Sequence, residues 1–207
     1  MQSSLTINKR NFIWGQRTYI MGILNITPDS FSGDGLASEK DPVAAALAQA
    51  SQFVQAGADM LDIGGESTRP GSEPVEAKDE IARVLPIIQA VAAAFDLPIS
   101  IDTYKADVAA AALEAGAHLI NDVWGLRADP ELARLVARRR VPVIIMHNRS
   151  TPKNTEVRDR LGGRYTGVEY TDLIADIKQE LLDSVALAQA AGIAEENVIL
   201  DPGIGFG

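Results

Sequence analysis

Short apolar runs rich in β-branched residues alternate six times with longer, alanine-rich segments whose apolar positions recur at helical spacing. The runs predict six β-strands at Thr18–Leu24, Met60–Ile63, Ile99–Asp102, Leu119–Asn121, Val143–Met146 and Val198–Asp201. The longer segments predict α-helices near Asp41–Ala56, Glu76–Phe95, Lys105–Ala115, Pro130–Arg139 and Asp172–Ala191. Alternating strands and helices build a parallel sheet, and continuously apolar strands suit a sheet covered on both faces. The pattern therefore predicts an α/β fold.

Polar residues follow nearly every predicted strand, and this bears on whether the sheet is open or closed. They are Asn25, the loop Gly65–Arg69, Asp102, Asn121, His147 and Asp201. In a closed eight-stranded barrel all such residues open onto one mouth, whereas an open doubly wound sheet uses only those at its switch point. Six polar strand ends favour the barrel. The chain contains six of the eight strands that a complete barrel needs.

The rest of the chain supports one domain over residues 1–207, because no linker or repeat divides it. Before the first strand, Leu5–Arg17 alternates loosely and contains a Trp14-Gly15 turn, which predicts that residues 1–17 form a hairpin plugging the bottom of the barrel. The polar stretch Asn148–Tyr170 is either a functional lid or a disordered loop, and the sequence leaves both open.

Composition narrows the function classes. With 19 basic and 28 acidic residues the formal net charge is −9, which argues against a nucleic-acid or anionic-membrane surface. The absence of cysteine excludes a disulfide scaffold, a zinc-thiolate site and a cysteine nucleophile. No uninterrupted apolar stretch reaches the roughly 18 residues of a membrane span, and the N-terminus lacks a signal-peptide pattern, so we expect a soluble cytoplasmic protein.

Two polar loops near the start of the chain could carry chemistry. The loop Asn25–Gly35 begins with oxygen-bearing side chains that suit Mg²⁺, although an ordinary turn has the same composition. In the loop Asp62–Gly71 the paired glycines let backbone amides approach an anion, and Thr68 and Arg69 add a hydroxyl and a guanidinium. This second loop predicts a diphosphate site. The alternative is a tight loop in which its own carboxylates pair with Arg69.

Three strand-end residues form the sharpest constellation. Asp102, Asn121 and Asp201 each terminate an apolar strand, so each is expected to face the mouth in a partly desolvated setting. A carboxylate can accept two parallel N–H bonds from an aminopyrimidinone, and an amide offers a donor and an acceptor beside it. Met146 and Phe206 could flank such a planar ligand. The alternative is that each polar residue only caps the segment that follows its strand.

The final segment, Asp201–Gly207, has the glycine content of a phosphate-binding turn but lacks the full G-x-G-x-x-G spacing. Only this segment favours a nucleotide-dependent oxidoreductase, and its support for that function is weak. His147 lies at the predicted mouth without a partner that the sequence identifies.

Taken together, five motifs resemble the dihydropteroate synthase family in order and spacing. They are Met21–Ser32, Asp62–Gly71, Ser100–Thr103, Ile120–Asp122 and Asp201–Gly207. The resemblance implies a TIM (β/α)8-type, pterin-binding barrel that joins 6-hydroxymethyl-7,8-dihydropterin diphosphate to p-aminobenzoate, releasing diphosphate and 7,8-dihydropteroate. It also implies Mg²⁺ as cofactor and a homodimer. Family members continue through strands seven and eight, so a non-catalytic pterin- or diphosphate-binding fragment is the alternative.

The resemblance further assigns roles to residues of this chain. It places Asp102, Asn121 and Asp201 on the pterin ring, with Met146 and Phe206 beside it. It assigns Mg²⁺ binding to Asn25, and contact with the diphosphate to Thr68 and Arg69. Asp102, Arg69 and Asn25 are the residues expected to take part in catalysis.

Overall fold

The computed structural model describes residues 4–27, 41–67, 74–149, 155–158, 162–165 and 169–206. Within them, six parallel strands alternate with five helices. The strands of this sheet are β3 (Met21–Asn25), β4 (Met60–Gly64), β5 (Ile99–Asp102), β6 (Leu119–Asp122), β7 (Val143–Met146) and β10 (Val198–Asp201). The helices are α1 (Pro42–Gln55), α2 (Ala77–Ala94), α3 (Ala106–Ala115), α4 (Pro130–Arg139) and α5 (Leu173–Ala190).

Four further strands form two separate antiparallel hairpins. These are β1 (Ser4–Ile7) with β2 (Arg10–Ile13), and β8 (Thr155–Arg158) with β9 (Gly162–Tyr165). The second hairpin lies inside the stretch for which the sequence left a lid and a disordered loop open. A short 3-10 helix, Glu195–Asn197, precedes β10.

The order of the strands distinguishes the two parallel architectures. Each strand of the sheet pairs with the one that follows it through a helical crossover, from β3 at one edge to β10 at the other. A doubly wound sheet reverses its order at a switch point, and this sheet does not. The topology is therefore that of consecutive βα units of a barrel.

Local sequence sets the helix starts where an aspartate precedes the first turn. The side chains of Asp41, Asp129 and Asp172 each accept a hydrogen bond from a backbone N–H of the first turn, at 3.0, 3.0 and 3.1 Å. This bond satisfies one of the donors that a helix N-terminus leaves without a partner. Proline follows the first two of these aspartates, as their sequence predicts.

The first strand of the sheet begins later than its sequence indicates. The predicted strand started at Thr18, whereas β3 starts at Met21. The apolar and β-branched residues at 18–20 resemble a strand, but Ile20 bonds with Asp59 instead: its N–H donates to the carboxylate and its carbonyl accepts from the Asp59 N–H. Other predicted sheet strands match the observed bounds to within one residue.

The main core lies between the sheet and its helices. Outward-facing strand residues such as Leu61, Ile63 and Ile101 are fully buried, and they belong to one cluster with Val84 and Ile88 of α2. The opposite face of each strand points to the barrel interior, because side chains alternate along a strand. Polar residues of the central strands, such as Asp62 and Ser100, lie on that inner face.

A second cluster lies at the amino ends of the strands. Leu5 and Phe12 of the first hairpin pack with Met60, Leu119 and Ile144, which lie in the first or second position of their strands. The hairpin therefore covers the end of the sheet opposite to the strand carboxyl ends.

The chain reverses in this hairpin at Asn8 and Lys9, which both have positive φ (44° and 63°), the pairing typical of a tight hairpin turn. The Trp14-Gly15 turn follows the hairpin rather than forming it.

None of the helices in the described part of the chain is long and apolar enough to cross a membrane.

Candidate active site at the carboxyl ends of the strands

Four residues at the strand ends lie in a single row across the sheet. Asn25 pairs in register with Gly64, Gly64 with Asp102, and Asp102 with Asn121. Adjacent strands are about 4.8 Å apart, so each residue of the row is a near neighbour of the next. The register therefore brings together three of the residues that the sequence singles out.

Two other predicted residues form a pair further along the sheet. Met146 at the end of β7 is in register with Asp201 at the end of β10. The N–H of His147 donates to the Asp201 carbonyl at 2.9 Å, which continues the pairing by one residue. Met146 is buried, and Asp201 is half-buried.

Asp62 joins the row from below, although sequence reasoning did not include it among the site residues. Its Oδ2 accepts a hydrogen bond from Nδ2 of Asn121 at 3.2 Å, across the intervening strand β5. Asp62 stands two residues before Gly64, so it points to the same inner face. A carboxylate in an otherwise apolar strand was the signal that could have revealed it.

The site contains buried carboxylate oxygens that lack protein donors. Asp62 Oδ1 and Asp102 Oδ1 are both buried and accept no hydrogen bond from the described residues. Burying an acceptor without a donor is costly, so a ligand rich in N–H groups would relieve this cost. The inner face of β4 and β5 is therefore chemically suited to an amino-substituted heterocycle.

Burial and neighbouring charge both act on the carboxyl of Asp102. Burial raises the pKa of Asp102 well above its ordinary value, and the negative charges of Asp62, Glu80, Asp122 and Glu66 raise it further. Burial also raises the pKa of Asp62, while the neighbouring Ser100 hydroxyl and the Asn121 amide oppose the rise. A carboxyl group in this site therefore keeps its proton to a higher pH than the same group does in water.

Two consecutive glycines give the end of β4 a close approach to its neighbours. A Cβ built on Gly64 would lie 3.3 Å from Asp102 Cβ and 3.4 Å from Asp102 Oδ2. A Cβ on the next residue, Gly65, would lie 2.7 Å from Val84 Cγ1. The paired glycines therefore let the end of β4 fit between the Asp102 side chain and helix α2.

The turn after β10 fixes one oxygen of the Asp201 carboxylate. Asp201 Oδ1 accepts from the N–H of Gly203 at 2.8 Å. Gly203 has a φ of +71°, and a Cβ there would lie 2.0 Å from the carbonyl oxygen of His147. The turn thus depends on glycine both for its backbone conformation and for its close approach to the end of β7. Phe206 is half-buried and its N–H donates to the Gly203 carbonyl.

His147 has a partner that the sequence did not indicate. Its Nε2 lies 2.9 Å from Glu180 Oε2, and its side chain is 1% exposed. Glu180 is on α5, 33 residues away, and also accepts from Arg149 Nε at 2.8 Å. Arg149 in turn lies 4.2 Å from the centre of the Tyr170 ring. This network anchors the end of β7 to α5.

Two of the predicted residues, Thr68 and Arg69, lie outside the described residues, as does the loop after Thr27 up to residue 40. Among the described residues no group of three or more histidine, aspartate or glutamate side chains could hold a metal ion. Asn25 offers an amide oxygen at the strand ends. Mg²⁺ commonly takes one or two protein oxygens and completes its shell with substrate phosphate and water, so Asn25 fits a site of that kind.

Comparison with known proteins identifies the family of this chain. Residues 21–207 match the family described as "Pterin binding enzyme". Fold and site together define a pterin-binding enzyme built on an α/β barrel.

Similar proteins of known name identify the family within this class more precisely. The chain is 48% identical over 203 residues to the dihydropteroate synthase of Clostridium beijerinckii, covering 98% of this chain and 68% of that protein. It is 45% identical over 191 residues to the dihydropteroate synthase of Bacillus subtilis, covering 92% of this chain and 60% of that protein. The chain therefore belongs to the dihydropteroate synthase family, whose members are transferases of folate biosynthesis.

Solved structures show the same fold. The Xanthomonas albilineans dihydropteroate synthase with 4-aminobenzoic acid matches with a TM-score of 0.84 and 38% identity, covering all of this chain and 68% of that one. The Yersinia pestis enzyme in a sulfonamide drug complex matches with a TM-score of 0.85 and 39% identity, covering 98% and 69%. These matches confirm the predicted partial TIM (β/α)8-type barrel. The chain spans roughly two thirds of the length of such relatives.

Proposed function

We propose that this chain condenses 6-hydroxymethyl-7,8-dihydropterin diphosphate with p-aminobenzoate to form 7,8-dihydropteroate and diphosphate. The observation that carries the proposal is the row of Asp102 and Asn121 above Asp62, with its buried acceptor oxygens. Related structures bound to pteroic acid and to 4-aminobenzoic acid support the same pair of substrates.

The pterin end of the substrate matches these acceptors. The aminopyrimidinone ring presents an amino group and a ring N–H side by side, and the Asp102 carboxylate can accept both. Asn121 is held by Asp62 and offers its amide to the neighbouring ring atoms. Asp201, with one oxygen committed to Gly203, offers the other from the far side of the site. Met146 and Phe206 are proposed to lie against the ring faces.

The reaction needs no protein nucleophile. The C–O bond between the pterin methylene and the diphosphate breaks, and the diphosphate leaves with the electron pair. The aniline nitrogen of p-aminobenzoate attacks the methylene carbon, forms the new C–N bond and loses its proton to solvent. Asp102, ionised against the ring, would stabilise the positive charge that develops on the pterin in the transition state.

The diphosphate end would be served by Asn25, Thr68 and Arg69. Asn25 would hold Mg²⁺, which when bound offsets the charge that builds on the departing diphosphate. Thr68 and Arg69 follow the Gly64-Gly65 exit of β4, and resemblance to the family supports their contact with the anion. We also propose that the protein is a homodimer and that it is cytoplasmic. Sedimentation of the purified protein tests whether it is a homodimer.

A direct assay tests the proposal. The purified chain is incubated with both substrates and Mg²⁺, and 7,8-dihydropteroate is followed by chromatography. Replacing Asp102 with alanine should abolish product, whereas Asp107→Ala, at an exposed position of α3, should leave turnover unchanged. Unchanged turnover in Asp102→Ala would remove the pterin assignment. Binding of the dihydropterin diphosphate without any product would favour the non-catalytic alternative.

A further inference from the structure

Lys105 is the centre of a charged cluster that the proposed reaction does not use. It follows β5 three residues after Asp102, and its ammonium donates to the Glu66 carboxylate, to Glu80 Oε2 at 2.5 Å and to the Val75 carbonyl at 2.6 Å. An ammonium has three N–H donors, so the cluster satisfies every one of them.

The cluster is largely removed from solvent. The side chains of Lys105 and Glu66 are 14% and 12% exposed, and that of Glu80 is 1% exposed. Two carboxylates raise the pKa of Lys105 despite its burial, so the ammonium persists at neutral pH. Bonds to a buried charge of this kind hold geometry much more tightly than exposed ion pairs do.

The position of the cluster relates it to the site. Glu66 comes two residues after Gly64, whose backbone lies against Asp102. Glu66 also accepts from the Tyr104 hydroxyl at 3.3 Å and from the Val75 N–H at 3.4 Å. A single lysine on the β5 side thus holds both the exit of β4 and the returning chain at Val75.

We propose that Lys105 is a positioning residue for the anionic half of the substrate, which fixes the Gly65-Glu66 exit of β4 beside Asp102 by bridging Glu66 and Val75. The inference rests on the proposed function, because it assigns the anion to this exit. Lys105 makes no contact with the pterin itself in this scheme. Its loss should therefore weaken recognition of the diphosphate while leaving recognition of the ring.

The experiment compares two ligands on the purified chain in Mg²⁺ buffer by calorimetry. One is 6-hydroxymethyl-7,8-dihydropterin diphosphate and the other is the same pterin alcohol without the diphosphate. The dissociation constant of the alcohol divided by that of the diphosphate measures how much the anion contributes to binding. Lys105→Met keeps the length of the side chain but leaves Glu80 without its cation. Lys105→Met/Glu80→Gln removes that buried charge and guards against unfolding. Lys78→Met, at an exposed position of α2, is the matched control.

In the double variant we expect the ratio to fall at least about tenfold while affinity for the alcohol changes by less than about threefold. Lys105→Arg should restore part of the ratio, because a guanidinium can also bridge two carboxylates. A folded double variant with the wild-type ratio overturns the inference, as does an equal loss for both ligands, which would mean support of the whole site. Wild-type protein that binds neither ligand would instead overturn the proposed function.

Discussion

The side-chain amide of Asn121 donates to the carboxylate of Asp62 at 3.2 Å, although the two residues are 59 positions apart and their strands are separated by β5. A carboxylate can only accept, so this bond directs the amino end of the amide to Asp62. The order of donor and acceptor that Asn121 presents to a ligand is therefore set by Asp62. The pair works as a unit in the site.

Variants of Asp62 should show whether it acts by orienting the Asn121 amide or through its own negative charge. Asparagine at this position retains an acceptor for Asn121, so we expect Asp62→Asn to weaken pterin binding by less than about fivefold. Leucine offers no acceptor, and Asp62→Leu should weaken binding by about tenfold or more. Titration with the dihydropterin alcohol measures both. Equal and severe losses would mean that the Asp62 carboxylate contacts the ligand itself.

Asp102 should lower the stability of the folded chain while it contributes to pterin binding. Because its pKa is raised in the folded state, the folded chain keeps the proton to higher pH than the unfolded chain does, and stability falls as pH rises above about 4. Asp102→Asn removes this penalty. We expect the variant to melt higher than wild type at pH 8, by about 2–4 °C for each kcal/mol gained, with the gap narrowing toward pH 4.

The same variant should lose pterin binding, because an amide cannot accept two parallel N–H bonds. Thermal melting at several pH values and ligand titration are made on one preparation. A variant that is less stable than wild type at pH 8 would contradict the assignment of Asp102 as a buried carboxylate that lowers stability when it is ionised.

Asp122 should contribute a second pH dependence at a position outside the ligand site. Burial raises the pKa of Asp122 to about 6, although its two oxygens accept from the N–H groups of Trp124 and Leu126 at 2.8 and 2.6 Å. A raised folded pKa means that its contribution to stability is present below pH 4 and declines up to pH 6. That decline amounts to about 3 kcal/mol at most.

Asp122→Asn does not titrate, so the stability of wild type relative to the variant should decrease by this amount between pH 4 and pH 6. Urea unfolding at steps of half a pH unit measures the difference, and subtracting one chain from the other cancels the carboxyl groups whose pKa does not depend on the charge of Asp122. A constant difference across this range would show that Asp122 has an ordinary pKa in the folded chain.

Features of the fold that depend on neighbouring residues were predictable. The Asp-Pro pairs before α1 and α4 mark helix starts because an aspartate cap and a proline in the first turn act locally. The row of strand-end residues was also predictable, because parallel strands in a barrel present their carboxyl ends at one mouth. The start of β3 was missed because Ile20 bonds with Asp59, whose position no local pattern reveals.

Partners that packing brings together could not be predicted. Glu180 reaches His147 from α5, and Lys105 reaches Glu66 from the neighbouring βα loop. Each pairing needs the relative placement of two elements, which hydrophobic periodicity does not contain. Asp62 itself is marked by a carboxylate in an apolar strand, but its pairing with an amide two strands away needs the same information.

Gly203 and Gly205 provide a matched test of the turn that holds Asp201. Both have positive φ, +71° and +95°, so alanine at either position carries the strain of a left-handed backbone, about 1–2 kcal/mol. A Cβ at Gly205 meets nothing within 4 Å, whereas one at Gly203 would lie 2.0 Å from the His147 carbonyl oxygen. Gly203→Ala must therefore move the chain away from the end of β7.

That movement should break the bond from the Gly203 N–H to Asp201 and displace the carboxylate from the site. We expect Gly203→Ala to lower the free energy of unfolding by at least about 3 kcal/mol and to weaken pterin binding by about tenfold or more. Gly205→Ala should show the conformational cost alone, with binding within about threefold of wild type. Urea unfolding and titration with the dihydropterin alcohol measure both quantities. Equal effects of the two substitutions would mean that backbone conformation, and not the approach to His147, sets the geometry of Asp201.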